Sequence, residues 1–191
     1  MWYNGFMRAV GLPDKSGYIY KGYFYMELKK AEIKDLDTVV RLKMAMFKEV
    51  GSIALLQDNA EEKIYAKYQE LYKKDMGCHY LIYENDTVIA CGGAIIKDDV
   101  PFCFFKTPMY GYIIDVYCIP EKRRNGYSSR IIEELLKWIM GKGVHNIKLK
   151  PSAAGKHLYE KFGFVIPKKW NYGFNNYLTF IFLFVGHISC V

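Results

Sequence analysis

Apolar residues recur at helical spacing in three stretches of the chain. Leu36, Val39, Val40, Met46, Phe47 and Val50 share one side of a helix that Asp35 can cap and Gly51 can end. Ile64, Tyr65, Tyr68, Leu71 and Tyr72 predict a second helix over 59–74, stopped by Gly77. The third stripe is the clearest. Ile131, Ile132, Leu135, Leu136, Ile139 and Met140 line one side, with Arg130, Glu133, Glu134 and Lys137 opposite. They predict a helix over 128–140 that Gly141 and Gly143 close. A short helix over 155–162 ends at Gly163.

Between these stripes the pattern changes to that of strands, at 26–31, 79–84, 87–96, 111–119, 146–149, 164–166 and 177–185. Asn85 and Asp86 join the second and third as a hairpin, because both tolerate positive φ. Gly92-Gly93 predicts a bulge or a close backbone approach. Residues 97–108 read as a loop. Residues 1–25 are rich in Gly and Tyr, contain Pro13 and show no clear period; they read as a leader before a domain spanning 26–191. The resulting order, β-αα-βββ-α-β-α-ββ, is mixed α/β, with helices packed on a central sheet. The strand at 111–119, the helix at 128–140 and the strand at 146–149 form a βαβ unit, which is right-handed with parallel strands.

A chain of 191 residues with 51% hydrophobic and 25% charged residues fits one globular domain and excludes a disordered or fibrous class. Its 5 Cys have no CxxC spacing, which argues against a zinc knuckle, a redox pair or a disulfide framework and for reduced, buried thiols in a cytoplasmic protein. No metal is expected. The longest apolar run, 178–191, is interrupted by Gly186, His187 and Ser189 and falls short of the ~20 residues of a membrane-spanning helix. The first residues lack the basic-then-apolar layout of a signal peptide. Charge is uneven. The chain carries 27 Lys and Arg against 20 Asp and Glu, a net +7. Residues 121–170 alone hold 12 basic and 4 acidic residues, so this segment is at +8 and the remainder at −1. A local positive field implies an anionic partner or a solvated basic surface.

The field centres on Pro120-Glu121-Lys122-Arg123-Arg124-Asn125-Gly126-Tyr127-Ser128-Ser129, between the strand at 111–119 and its helix. The first turn of a helix has free N–H groups and a positive dipole end. Gly126 leaves the backbone open to a phosphate, and Arg123 and Arg124 add charge. Neither a dinucleotide-binding nor a P-loop fingerprint is present. Arg123-x-x-Gly126-x-Ser128 resembles the Arg/Gln-x-x-Gly-x-Gly/Ala loop of the GCN5-related N-acetyltransferase (GNAT) superfamily, with Ser in the last small position. The lead-in Asp115-Val116-Tyr117-Cys118-Ile119-Pro120-Glu121 and the closing Leu158-Tyr159-Glu160-Lys161-Phe162-Gly163-Phe164 are similar to that family's motifs in the same order.

The resemblance implies a mixed central sheet with helices on both faces, splayed between the fourth and fifth of the strands counted from Met26. It implies that the pantetheine arm of acetyl-CoA pairs with the backbone of Val116, Tyr117, Cys118 and Ile119 inside the splay. The pyrophosphate then sits on the amides of Arg123, Arg124, Asn125, Gly126, Tyr127, Ser128 and Ser129. The expected activity is direct transfer of an acetyl group to a primary amine of a small molecule or peptide, by a cytoplasmic monomer or homodimer without nucleic acid or membrane as partner. Tyr159 is the implied general acid toward the departing thiolate, with a packed aromatic ring as the alternative. Asp115 is the candidate general base; otherwise it is a carboxylate bonded to a neighbouring Arg or Tyr. Strand alternation puts Ile113, Asp115, Tyr117 and Ile119 on one face. Ser152 falls where the family has an Asn that holds the cofactor, or else it caps the helix that follows. His157 is expected to be exposed and Cys118 to be strand packing. The other class of function is an acyl-CoA-binding domain without catalysis.

Overall fold

The three apolar stripes become helices close to their predicted bounds. A computed structural model describes residues 5–13, 19–100, 108–165 and 178–181, with side chains for 26–100 and 108–165. In chain order the elements are β1 (Gly5–Pro13), β2 (Ile19–Lys30), α1 (Leu36–Glu49), α2 (Ala60–Lys73), β3 (Gly77–Glu84), β4 (Thr87–Asp98), β5 (Met109–Cys118), α3 (Tyr127–Gly141), β6 (Asn146–Leu149), α4 (Lys156–Glu160) and β7 (Leu178–Ile181). The strands form one sheet in that same order. Every described pairing is antiparallel except β5 with β6. The strands of the βαβ unit are therefore parallel, as expected.

Residues 1–25, read without a period, hold β1 and the first part of β2, which pair from Gly5↔Glu27 to Pro13↔Ile19. Met26, expected to open the first strand, lies inside β2. Asp35 stands at the N-cap of α1, but its carboxylate accepts the Glu32 amide at 2.8 Å rather than an α1 amide. Phe164 is buried without forming a strand, and only Val165 of the strand expected at 164–166 makes a single bridge. Ile166, the loop aromatics Phe102, Phe104 and Phe105, and the tail beyond 181 lie outside the described residues. No helix among the described residues is long and apolar enough to cross a membrane.

The core has two halves, one on each face of the sheet. On one face α3 contributes Ile131, Ile132, Leu135 and Ile139, each 0% exposed, against Ile82, Ile89, Ile113, Ile147 and Leu149. Burial of such a side chain is worth roughly 1.5–3 kcal/mol. Gly92 lets the helix sit this close, because a Cβ there would lie 2.5 Å from Ile131 Cγ2. On the other face α1 and α2 bring Leu36, Val39, Val40, Leu42 and Tyr68 against Leu81 and Cys91.

Two irregularities in β5 shape the middle of the sheet. Between β4 and β5 the register shifts, Cys91 facing Tyr117 and Gly93 facing Ile114, so Asp115 and Val116 together stand opposite the single Gly92. Asp115 absorbs the extra residue with φ 57°. This bulge corrects the expected alternation. Ile113 packs in the α3 half, while Ile114 and Tyr117 pack in the α1–α2 half, where the Asp115 side chain also lies. The second irregularity is that β5 pairs with β6 only over Gly111–Ile113. From Ile114 onward the two strands part, which is the expected splay between those strands.

Candidate functional site

The turn that follows β5 is shaped by its backbone. Pro120–Lys122 form one 3-10 turn. Arg124 and Gly126 then take φ of 64° and 79°. Asn125 holds the loop by donating its side-chain N–H to the carbonyls of Lys122 and Arg123, at 2.9 and 3.0 Å. Gly126 is the N-cap of α3, with no side-chain cap and no acidic residue in the first helical turn. The helical ladder begins with Arg130 N–H to the Gly126 carbonyl at 3.2 Å. The preceding amides, of Tyr127, Ser128 and Ser129, have no intrahelical acceptor. Nothing lies within 4 Å of where a Gly126 Cβ would be. The result is an unobstructed helix end with aligned donors and a positive dipole, which suits a phosphate.

The Arg123 side chain turns away from those amides, toward β5 and α1. Its Nε donates to the Cys118 carbonyl at 3.0 Å, its Nη2 meets Glu49 Oε2 at 2.5 Å, and the guanidinium lies 5.7 Å from the Tyr117 ring centre. Arg123 thus ties the turn to β5 and to the end of α1. The Glu49 hydrogen bond, opposed by slight desolvation, raises the guanidinium's proton affinity, and the same contact lowers that of Glu49. Arg124 is exposed and supplies charge at the turn itself.

The splay opens beside this turn. Val116 packs toward α3, Tyr117 lies toward α1, and Cys118 is buried, with burial pushing its thiol up to about 11 despite the charge of Arg123. Ile119 N–H returns to the Ile89 carbonyl at 3.0 Å, which ends the strand pairing. Tyr159 on α4 joins the same packed half as Val116 and Cys118, and its ring meets Phe164 edge-on at 5.9 Å. Burial pushes its phenol above the ordinary tyrosine range, so the proton stays on oxygen at neutral pH. Ser152 bonds the Gly155 amide through Oγ at 3.2 Å, as a cap of the turn before α4 would. His157 is exposed and meets Glu160 at 3.0 Å.

Asp115 is engaged on every side. Its Oδ1 accepts from Lys43 Nζ on α1; its Oδ2 accepts from Tyr68 Oη on α2 and lies 3.1 Å from His79 Nε2 on β3. Lys43 Nζ also reaches Tyr68 Oη at 2.9 Å, and Tyr72 Oη meets His79 Nδ1 at 3.0 Å. The Lys43 and Asp115 side chains are only 14% and 2% exposed. Burial raises the Asp115 carboxyl, but the His79 hydrogen bond and the Lys43 charge outweigh it and hold the group at about 2. Burial and the Asp115 charge drive the Tyr68 phenol far above its ordinary value. The sequence reading missed Lys43, Tyr68, Tyr72 and His79 as polar partners. The one local signal was Gly93, directly opposite His79 in the β3–β4 register.

Comparison with known proteins agrees with this geometry. Residues 42–164 match the model of the acetyltransferase (GNAT) family. A predicted acetyltransferase from Clostridium acetobutylicum, solved with acetyl-CoA, superposes with a TM-score of 0.67 at 24% identity, over 76% of this chain and 93% of its own. An aminoglycoside N-acetyltransferase in complex with CoA gives 0.61 at 14% identity, over 79% and 95%. Glucosamine-6-phosphate N-acetyltransferase from Arabidopsis thaliana gives 0.57 at 19%, over 78% and 97%. No curated protein matches the chain.

Proposed function

Because the chain belongs to the acetyltransferase (GNAT) family, we propose that it moves an acetyl group from acetyl-CoA directly to a primary amine of a small molecule or peptide. One observation carries the reading. The edge of β5 from Ile114 to Cys118, unpaired on the β6 side among the described residues, runs straight into a turn whose helix amides face no intrahelical acceptor. A ligand with a peptide-like arm and a pyrophosphate fits that succession of strand edge and helix end. The arm pairs along Val116, Tyr117, Cys118 and Ile119, and the phosphates lie on the amides from Arg124 to Ser129, because the Arg123 amide, expected to join them, donates to the Pro120 carbonyl at 3.3 Å. Arg123 fixes the loop, and Ser152 shapes the turn that carries α4.

The transfer needs little from the side chains. The lone pair of the acceptor nitrogen forms the new amide bond as the carbon–sulfur bond breaks, and the thiolate leaves with the bonding electrons. Tyr159, still protonated because it is buried, donates its proton toward that sulfur. The proton lost by the amine goes to water, and water returns one to the Tyr159 oxygen, which restores the phenol for the next turnover. Asp115, held at about 2 and filled by its donors, is a poor proton acceptor at neutral pH, so we assign it no part in proton removal. Its commitment is also the observation that favours the second reading, a domain that binds acyl-CoA without turning it over.

Turnover separates the two. Acetyl-CoA is incubated with polyamines, amino acids, aminoglycosides and peptide N-termini, and free thiol is followed. Amine-dependent thiol release supports the enzyme; tight binding of acetyl-CoA with no release for any amine supports the binding domain. Tyr159→Phe keeps the ring packing and removes the hydroxyl. It is expected to lower kcat about tenfold to a hundredfold with acetyl-CoA affinity nearly kept. A kcat within about twofold of wild type, with chemistry limiting, returns Tyr159 to a packing role.

A further inference from the structure

His79 lies across the sheet rather than beside it. It faces Gly93 in the β3–β4 register, and a Cβ on Gly93 would sit 2.4 Å from His79 Nε2. The missing side chain on β4 is the space that the imidazole occupies. Through that space the ring passes over β4 and reaches Asp115 on β5, two strands from its own. Behind it, Tyr72 Oη meets Nδ1, and Tyr68 lies against the ring at a centroid distance of 4.7 Å. Tyr72 Oη and Asp115 Oδ2 thus hold the ring from both sides, one at each ring nitrogen.

One carboxylate therefore gathers donors from α1, α2 and β3, and it hangs from the bulged residue of β5. Asp115 is held at φ 57°, which a non-glycine residue in a strand keeps only when its surroundings over-determine it. Without the donors, the bulge is free to revert to regular pairing. Regular pairing moves the register by one residue and exchanges the faces of Val116 and Tyr117. The turn at 123–128 has an anchor off the strand, because Arg123 also reaches Glu49 at the end of α1.

We propose that His79 and Lys43 are positioning residues: through Asp115 they lock the bulge that sets which backbone groups of β5 face the splay. This rests on reading the splay as the seat of the acyl-pantetheine arm. The two ends of the ligand should then respond differently, the arm depending on the clamp and the phosphates on the turn.

The test uses the full chain with His79→Leu, Lys43→Met and Gly93→Ala, and His79→Gln as the conservative variant. Calorimetry measures acetyl-CoA and, as a probe of the phosphate turn alone, adenosine 3′,5′-bisphosphate. Hydrogen exchange compares segment 114–118 with α3 in the free protein. The first three variants are expected to lose about tenfold or more in acetyl-CoA affinity while the bisphosphate stays within about twofold. Exchange at 114–118 should rise by about tenfold or more with α3 little changed. His79→Gln, which keeps an N–H donor, should recover most of both. Gly93→Ala removes no donor from the chain but takes the space that the His79 ring needs, so it reports on the clamp if the other variants fold poorly. Equal weakening of both ligands, unchanged acetyl-CoA affinity, or exchange that rises alike in β5 and α3 overturns the proposal. A wild type that binds neither ligand refutes the acyl-CoA reading instead, and the exchange comparison then decides the clamp by itself.

Discussion

The two faces of this sheet are stabilised in different ways. Under α3 the contacts are hydrocarbon on hydrocarbon, from Ile131 and Leu135 down to Ile147 and Leu149. Under α1 and α2 the apolar packing of Leu36, Val39 and Leu81 surrounds a charged pair and three aromatic or imidazole side chains. A dry face is non-directional: it holds helix and sheet together but accepts small shifts of register. A buried carboxylate with several donors is directional and accepts none without leaving a polar group unpaired. The irregular residue of β5 is held from the directional face.

Four changes break or sharpen this contrast. The largest effect belongs to the dry face. Leu135→Ala removes a side chain that is 0% exposed and should cost about 2–5 kcal/mol in urea unfolding. In the folded fraction, the ratio of acetyl-CoA to adenosine 3′,5′-bisphosphate affinity should be unchanged. A change in that ratio would show that α3 also sets the register of β5.

Acid probes the polar face next. The Asp115 carboxyl falls from 3.8 to about 2 on folding, so its stabilising contribution is full above about pH 4 and is lost as pH falls through about 2. By linkage this is on the order of 2 kcal/mol. Urea midpoints measured across that window should show the limb in wild type and not in Asp115→Asn. Gly126→Asp acts outside both faces. It puts a Cβ and a negative charge where the phosphates would lie, at a φ of 79° that an L residue seldom takes. It should weaken acetyl-CoA binding by more than about 1.4 kcal/mol, read by calorimetry on folded protein. The smallest effect is expected from Glu49→Gln. Both partners of the Glu49–Arg123 pair are about two-fifths exposed, and Arg123 keeps its bond to Cys118. The melting temperature should not move measurably.

The dry face was legible because its information is local. A 3.6-residue period in Ile131, Ile132, Leu135 and Ile139 states the buried stripe outright, and Gly126 marks the turn within the same few residues. The polar face was not, because its partners are 36, 47 and 72 residues from Asp115 along the chain. Tyr68 fitted the apolar stripe of its helix, and there its ring does pack; only its hydroxyl carries the other role. The bulge at Asp115 then shifted the parity of the strand, so alternation placed Ile113 on the wrong face. The strand β1 escaped notice because a strand's stability comes from what lies across from it, and its partner, β2, begins only at Ile19. Gly92-Gly93 predicts a bulge or a close approach. Both occur there, with Ile131 over one glycine and His79 over the other.

The brief parallel contact between β5 and β6 also bears on the order in which the chain assembles. β3 and β4 meet through a two-residue turn at Asn85 and Asp86, whereas Gly111 finds Ile147 only after α3 has folded back. Closing the longer loop costs more chain entropy and returns just three residue pairs, so that contact is expected late, after the folding barrier. Substitutions in β6 such as Ile147→Val should then hasten unfolding while leaving the refolding rate nearly constant. The cleft beside β5 would be the last part of the molecule to form and the first to open.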